Sequence, residues 1–256
     1  MAEIFPLIDE VHRIARRAGA TIMGYFGQSP EVREKTDSTP VTEADEAADR
    51  LIVAALEALT RDIPIVSEEG VASGRIPAID AGRFWLVDPL DGTKEFIAGR
   101  DEFTVNIALI DDFAPVLGVI HAPARGESYY ATAQGGARHE TEGQPPASIA
   151  ARAMPKDGAV AVASRSHRSP EVDAYLAKIK VKSETAMGSS FKFCLIARGK
   201  ADLYPRFGRT MEWDTAAGHA ILEAAGGSLR TLDDGPFRYG KPGFLNPPFV
   251  ARGRVS

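Results

Sequence analysis

Two aspartates, Asp88 and Asp91, flank Pro89-Leu90 and run straight into Gly92-Thr93-Lys94. The apolar residues 84–87 before them read as a buried strand that delivers Asp88 at its end. Pro89 holds the residue before it in extended geometry, and a tight turn then brings Asp91 back toward Asp88. Two carboxylates placed in this way, with the Leu90 carbonyl between them, offer only hard oxygen donors, which suit magnesium rather than zinc. The N–H groups of Gly92 and Thr93, at a helix start, form a natural seat for a phosphate group. Further carboxylates stand in similarly punctuated settings. Glu68 and Glu69 follow the apolar run 63–67, and Asp214 opens a helix through Thr215, Ala216, Ala217 and Gly218, whose small residues allow close packing. Taken singly, an Asp-Pro pair is usually a turn, an Asp before a helix an N-cap, and a Glu pair a solvated strand end. Brought together, four carboxylates raise one another's pKa values and repel unless divalent cations neutralise them. That cost is the reason to expect bound metal.

Helical spacing of Ile4, Ile8, Val11, Ala15, Ala18, Ile22 and Tyr25 predicts an amphipathic first helix that ends near Gly27 and Pro30. Val41, Ala48, Ile52, Ala55 and Leu59 predict a second, with Thr42 or a close neighbour as its cap. Asp45 falls on the same side as that apolar stripe, so it is either at an exposed edge or has a buried partner. Strands are expected at 63–67, 84–87, 103–110, 116–121 and 128–133, with Asp111, Asp112 and Pro115 turning a hairpin. Between 134 and 158 the composition shifts to Gly, Pro, Ala and polar residues, the best candidate for a boundary between lobes. Beyond it come a strand at 159–163, helices from about Pro170 and from Ser189 to Gly199, a short strand at 201–204, and a helix at 214–225 stopped by Gly226 and Gly227. Helices with an antiparallel-type sheet, followed by alternating strand and helix, give a layered mixed α/β (α+β) fold.

The chain of 256 residues can bury a sizeable core, and a formal net charge of -5 argues against a nucleic-acid polymer as partner. A small anionic ligand needs only a local positive pocket. Cys194 is the only cysteine, which rules out an internal disulfide and a thiolate zinc cage. The first residues lack a basic start followed by an apolar run, and no stretch is long enough to span a bilayer, so a cytoplasmic enzyme without an integral membrane segment is expected.

Three segments resemble the inositol monophosphatase family of magnesium-dependent, lithium-sensitive phosphatases: Val66-Ser67-Glu68-Glu69, the run from Asp88 to Thr93, and Glu212-Trp213-Asp214-Thr215-Ala216-Ala217-Gly218. They stand in the family's order, and the likeness covers almost the whole chain. The resemblance implies a layered α/β/α/β/α sandwich of the inositol monophosphatase and fructose-1,6-bisphosphatase type. Residues 1–145 would form an N-terminal α+β lobe with most metal ligands, and 146–256 a C-terminal α/β lobe with Asp214 and the substrate-binding residues. Carried over by position, Glu68 binds a first metal, Asp88 bridges two, the Leu90 carbonyl completes the first site, and Asp91 and Asp214 hold the second. Two or three magnesium ions per site are implied. Thr93, hydrogen-bonded to Asp45 within Val41-Thr42-Glu43-Ala44-Asp45, would help Glu68 orient the attacking water. This supplies the partner that Asp45 lacks on spacing alone. The resemblance also allows a homodimer and a peripheral position at the inner membrane.

Within the family, three details resemble the branch that hydrolyses the 3′-phosphate of adenosine 3′,5′-bisphosphate to give AMP: Lys94-Glu95-Phe96 after Thr93, Ser164-Arg165-Ser166-His167, and the run from Gly188 to Cys194 followed by Ala201 to Arg206. A bisphosphorylated nucleotide requires a second anion pocket. Ser189 and Lys192 at a helix start, Arg206 as a bidentate donor, and His167 beside ribose or adenine are the candidates. Each also has a plain reading, as an N-cap, a solvated cation or a loop histidine. The alternatives are an inositol-1-phosphate or histidinol-phosphate phosphatase, and a protein that binds a phosphorylated ligand without turning it over.

Overall fold

The structure, a computed structural model, describes residues 4–28, 32–34, 40–80, 82–165 and 169–254. The chain begins with α1 (Ile4–Met23), a small antiparallel pair β1 (Val32–Glu34) and β2 (Pro40–Thr42), and α2 (Glu43–Leu59). The first large sheet contains β3 (Ile65–Ser67), β4 (Phe84–Asp91), β5 (Thr104–Asp111), β6 (Ala114–Ala122), β7 (Glu127–Thr132), β8 (Gly136–Thr141) and β9 (Ala147–Ile149), in that spatial order. Short helices α3 (Glu68–Ala72) and α4 (Thr93–Ile97) follow β3 and β4. The second sheet draws on β10 (Ala159–Ser164), β11 (Val181–Met187), β12 (Leu203–Arg206), β13 (Ser228–Thr231) and β14 (Phe249–Arg252), ordered β11-β10-β12-β14-β13. Its helices are α5 (Pro170–Leu176), α6 (Phe191–Ala197) and α7 (Ala216–Ala224).

Period-2 alternation divides the core. On β4, Trp85 and Val87 join the cluster of α1 and α2 around Val11, Ala18, Ile52 and Leu56. Phe84 and Leu86 face the other way, into a cluster with Phe191, Phe193, Ile221 and Phe249. The seven-stranded sheet is therefore covered on both faces, by α1 and α2 on one side and by α6 and α7 on the other. α6 and α7 in turn lie against the second sheet, whose far face is covered by α5 through Val172 and Leu176. The layers are α/β/α/β/α. Gly118 permits the central contact: a Cβ there would stand 2.5 Å from the Ala217 carbonyl oxygen of α7.

Several boundaries differ from the sequence expectation. Val41 lies in β2, so α2 starts at Glu43 behind its N-cap Thr42. The hairpin at Asp111 forms, with Asp112 and Phe113 at φ 50° and 59°. The stretch 134–158 is not simply connecting chain: β8 and β9 within it extend the first sheet. These strands, of which β9 is the sheet edge, bury little, which is why alternation did not reveal them. The sheets change between Ile149 and Ala159. The strand expected at 201–204 is β12, which carries Arg206 into the sheet. The helix expected from Ser189 begins at Phe191 instead.

Candidate active site

A cleft of about 670 Å³ opens beside the ends of β4 and β12, and its wall also takes in α3, the end of β10, and the segment between β11 and α6. Glu68 enters as the first residue of α3, behind Ser67, whose hydroxyl caps the helix by accepting from Gly70 N at 3.0 Å. β4 supplies Asp88, Leu90 and Asp91. Its pairing with β5 shifts register between Asp88 and Asp91, and that irregularity is what turns both carboxylates to one side. Leu90 N donates to Asp88 Oδ1 at 3.1 Å. Gly92 sits at φ 92°, which a side chain would strain, and starts α4 with Thr93. Asp214 ends a 3-10 turn, Glu212–Asp214, rather than opening α7, and its Oδ2 accepts from Met211 N at 2.8 Å. Glu68, Asp88, Leu90, Asp91, Thr93 and Asp214 all line the one cleft.

Asp45 stands behind this wall rather than in it. Its Oδ2 accepts from Thr42 N and Oγ1 at 2.8 and 2.6 Å, and its Oδ1 accepts from Thr93 Oγ1 at 3.2 Å. The aspartate on the apolar side of α2 thus has the buried partner it requires.

The same cleft also holds cations. Lys192 on α6 is almost wholly buried, with Nζ donating to the carbonyls of Met187 and Ser189 and lying 5.2 Å from the centre of the Tyr204 ring. Burial lowers its pKa to about 8, opposed by Asp91 and reinforced by Arg206. Arg206 is buried on β12 and donates to the Arg209 carbonyl at 2.9 Å. Ser189 and Gly92 also line the cleft, Ser189 with an unusual φ of 47°. His167 lies outside the described residues.

Burial pushes the carboxyl of Asp214 well above the usual range, and the charges of Asp91 and Glu68 add to the rise. Burial also raises Asp91, which Lys192 and two hydrogen-bond donors oppose and Glu68 reinforces. These acids therefore feel one another across the cleft. Among the described residues no three His, Cys, Asp or Glu side chains stand as a preformed metal cage. Asp88, Asp91 and Asp214 are each held by a neighbouring backbone N–H instead. Mutually repelling, oxygen-only donors in one desolvated cleft fit a hard divalent cation.

The sequence reading missed Asn106 and Ser190. Asn106 lies in β5 among buried Val105 and Ile107, and its Nδ2 donates to Asp91 Oδ2 at 3.2 Å. Ser190 N donates to the same oxygen. An amide in the middle of the apolar run 103–110 was the available signal.

This fold and this cleft define the class of protein: the chain belongs to the inositol monophosphatase family, whose profile matches residues 6–253. Among its relatives, the 3′(2′),5′-bisphosphate nucleotidase CysQ of Escherichia coli (strain K12) is 46% identical over 246 residues, covering 95% of this chain and 98% of that protein. The protein of the same name from Salmonella typhimurium (strain LT2) is 47% identical over 250 residues, with coverage of 95% and 98%. The crystal structure of CysQ from Bacteroides thetaiotaomicron is similar at TM-score 0.81 and 39% identity, covering 97% of each chain. An inositol monophosphatase from Zymomonas mobilis is similar at TM-score 0.81 and 29% identity, covering 99% of this chain and 95% of that one. No helix among the described residues is long and apolar enough to cross a membrane.

Proposed function

We infer that the chain is a metal-dependent phosphatase of small phosphorylated molecules, and specifically a 3′(2′),5′-bisphosphate nucleotidase converting adenosine 3′,5′-bisphosphate to AMP and phosphate. Near-full-length identity of 46% to a nucleotidase of that name supports the activity. The observation that supports the substrate is a single cleft lined both by carboxylates and by the buried cations Lys192 and Arg206. A bisphosphate has one phosphate for the carboxylate-held metal and a second for the cations; a monophosphate has no use for the second set.

In this reading Glu68, Asp88, the Leu90 carbonyl, Asp91 and Asp214 hold magnesium, two or three ions per site. Bound there, magnesium supplies positive charge to the phosphoryl oxygens and acidifies a water. Thr93 Oγ1 has its one proton directed at two acceptors, Asp45 Oδ1 and the Leu90 carbonyl oxygen, each at 3.2 Å, so its lone pairs are left to accept from that water. Glu68 accepts from it on another side, and the two residues aim its oxygen at phosphorus in line with the 3′-oxygen. As the new P–O bond forms, the bond to the 3′-oxygen breaks, a proton passes to that oxygen, and AMP and phosphate leave. Gly92 and Thr93 N–H groups hold the transferred phosphoryl group. Ser189, Lys192 and Arg206 hold the 5′-phosphate, and His167 is assigned to the ribose or adenine.

Residues 1–145 and 146–256 are proposed as the two lobes of this one site, in a cytoplasmic enzyme that works alone or as a homodimer. The test is a phosphate-release panel with purified protein, magnesium, and controls containing EDTA or lithium. Adenosine 3′,5′-bisphosphate should be the fastest substrate, with release abolished by EDTA and inhibited by lithium. Faster release from myo-inositol-1-phosphate or histidinol phosphate would overturn the substrate assignment.

A further inference from the structure

We propose that Asn106 and Ser190 act together as positioning residues that fix the carboxylate of Asp91 for its metal, making one ligand of the first sheet dependent on the second lobe. The proposal rests on the assignment of Asp91 as a ligand and goes beyond it.

Asp91 Oδ2 receives two donors from different parts of the fold. Asn106 Nδ2, on β5, lies 3.2 Å away, and Ser190 N, just before α6, donates to the same atom from 99 residues further along the chain. Neither donor engages Oδ1, which is thereby left as the ligating oxygen. A carboxylate gripped at one oxygen from two directions has lost its rotation about χ2, so Oδ1 is aimed before the metal arrives.

The amide is itself oriented. Ser190 Oγ donates to Asn106 Oδ1 at 2.7 Å, which uses its only proton. Thr104 Oγ1, at 2.9 Å from Ser190 Oγ, must then be the donor in that pair. The protons run one way, from Thr104 to Ser190 to Asn106 to Asp91. Reversing the amide would set its carbonyl oxygen against the Asp91 carboxylate, two acceptors with no proton between them. Thr104, Asn106 and Ser190 are all buried, so water offers no substitute partner. The cross-strand register reinforces the design, with Thr104 opposite Asp91 and Asn106 opposite the other β4 ligand, Asp88.

Ser190 also adjoins Ser189, and Lys192 Nζ is bonded to the Ser189 carbonyl. The segment that holds the second phosphate is therefore the one that holds Asp91. Displacing it disturbs both.

The experiment is a calorimetric magnesium titration of the full chain without substrate, for wild type, Asn106→Ala, Ser190→Ala and the double variant. Magnesium affinity should fall by about tenfold or more in each single variant. The double variant should be scarcely worse than Asn106→Ala, because the residues act as one chain. In kinetics, kcat at limiting magnesium should fall and recover as magnesium is raised, while KM for adenosine 3′,5′-bisphosphate at saturating magnesium stays within about twofold. A residue serving only stability would lower the melting temperature without moving the magnesium isotherm. If Asn106→Ala does not fold, Ser190→Ala decides the matter, since it keeps the backbone N–H and removes only the hydroxyl. Isotherms that superimpose on wild type overturn the positioning role alone. A wild-type protein that takes up no divalent metal overturns the reading of the site, and the positioning role with it.

Discussion

Thr93 Oγ1 lies 3.2 Å from Asp45 Oδ1 across 48 residues of sequence, and it is equally far from the Leu90 carbonyl oxygen. One hydroxyl thus joins the first turn of α2 to the turn that follows β4. Both oxygens of Asp45 are engaged as acceptors, Oδ1 by Thr93 and Oδ2 by Thr42. Asparagine keeps one acceptor oxygen and so cannot satisfy both sides. Asp45→Asn should lower kcat by roughly a hundredfold with KM little changed, because the attacking water loses its aim. Thr93→Val should behave similarly and Thr93→Ser should retain most activity. Steady-state kinetics on the three variants checks this, and a Thr93→Val enzyme of wild-type kcat refutes the water-positioning role.

Neutralising a single acid of the cleft has opposite effects on stability with and without metal. Burial and the neighbouring acids disfavour the charged forms of Asp91 and Asp214. Asp91→Asn and Asp214→Asn should therefore melt at or above wild type in EDTA, at about 2–4 °C per kcal/mol for a chain of this size. In millimolar magnesium the order should reverse, since wild type alone gains the metal's binding free energy. Activity should fall by roughly three orders of magnitude or more. Thermal melts in the two buffers give the comparison.

Substrate choice should depend on Lys192. Lys192→Met keeps the packing against Tyr204 and removes the cation. KM for adenosine 3′,5′-bisphosphate should rise by about tenfold to a hundredfold, the cost of a charge-assisted contact. The rate on adenosine 3′-monophosphate, which lacks the second phosphate, should hardly change. An equal loss on both substrates would place Lys192 in some other role.

Acid stability should reflect His121, far from the cleft. Its Nδ1 lies 2.9 Å from Ser128 Oγ, and burial, reinforced by His12 and Arg16, lowers its pKa from 6.5 to about 4. His12, stacked on Tyr130 at 4.6 Å, is lowered in the same direction, chiefly by burial and against the pull of Glu140. Between these values the unfolded chain binds protons that the folded chain does not. The His121 contribution to stability is therefore complete above about pH 6.5 and declines as pH falls toward 4, by up to about 1.4 kcal/mol per pH unit, and His12 acts in the same direction. Urea denaturation at pH 7.5, 6 and 5 measures the slope. His121→Asn should flatten it, and an unchanged slope would show that other groups control the acid limb.

Gly118→Ala tests the packing of α7 on β6. The added methyl would stand 2.5 Å from Ala217 O and 2.8 Å from Ala220 Cβ, so the helix must move or the strand must yield. A loss of roughly 1–3 kcal/mol in denaturant unfolding is expected, with no change in KM.

Much of the site was legible because its pieces are local. The Asp88-Pro89-Leu90-Asp91 turn and the Thr42 cap of α2 are each specified within a few residues, whereas the short helix α3 behind its Ser67 cap was not expected after the strand. The reading was weaker where a signal depends on a partner elsewhere. β8 and β9 bury little and so show little alternation. Asp214 sits in a 3-10 turn one step before α7, although the sequence reads as one continuous helix. Lys192 in a short helix is as compatible with a solvated face as with a buried cation. Only the sheet and the Tyr204 ring around it decide between them.

By itself, the sequence determined which atoms are available for chemistry: hard oxygen donors at tight turns, a hydroxyl beside them, and the amphipathic helices that cover the sheet behind them. Turns, caps and periodicity depend on neighbours along the chain, and those neighbours are written in order. Tertiary structure alone decided that Lys192 and Arg206 share a cleft with the carboxylates, and that Asn106 and Ser190 meet at a single oxygen of Asp91. The physical reason is burial. A buried amide or ammonium must find partners, and which ones it finds depends on two sheets packing around α6 and α7.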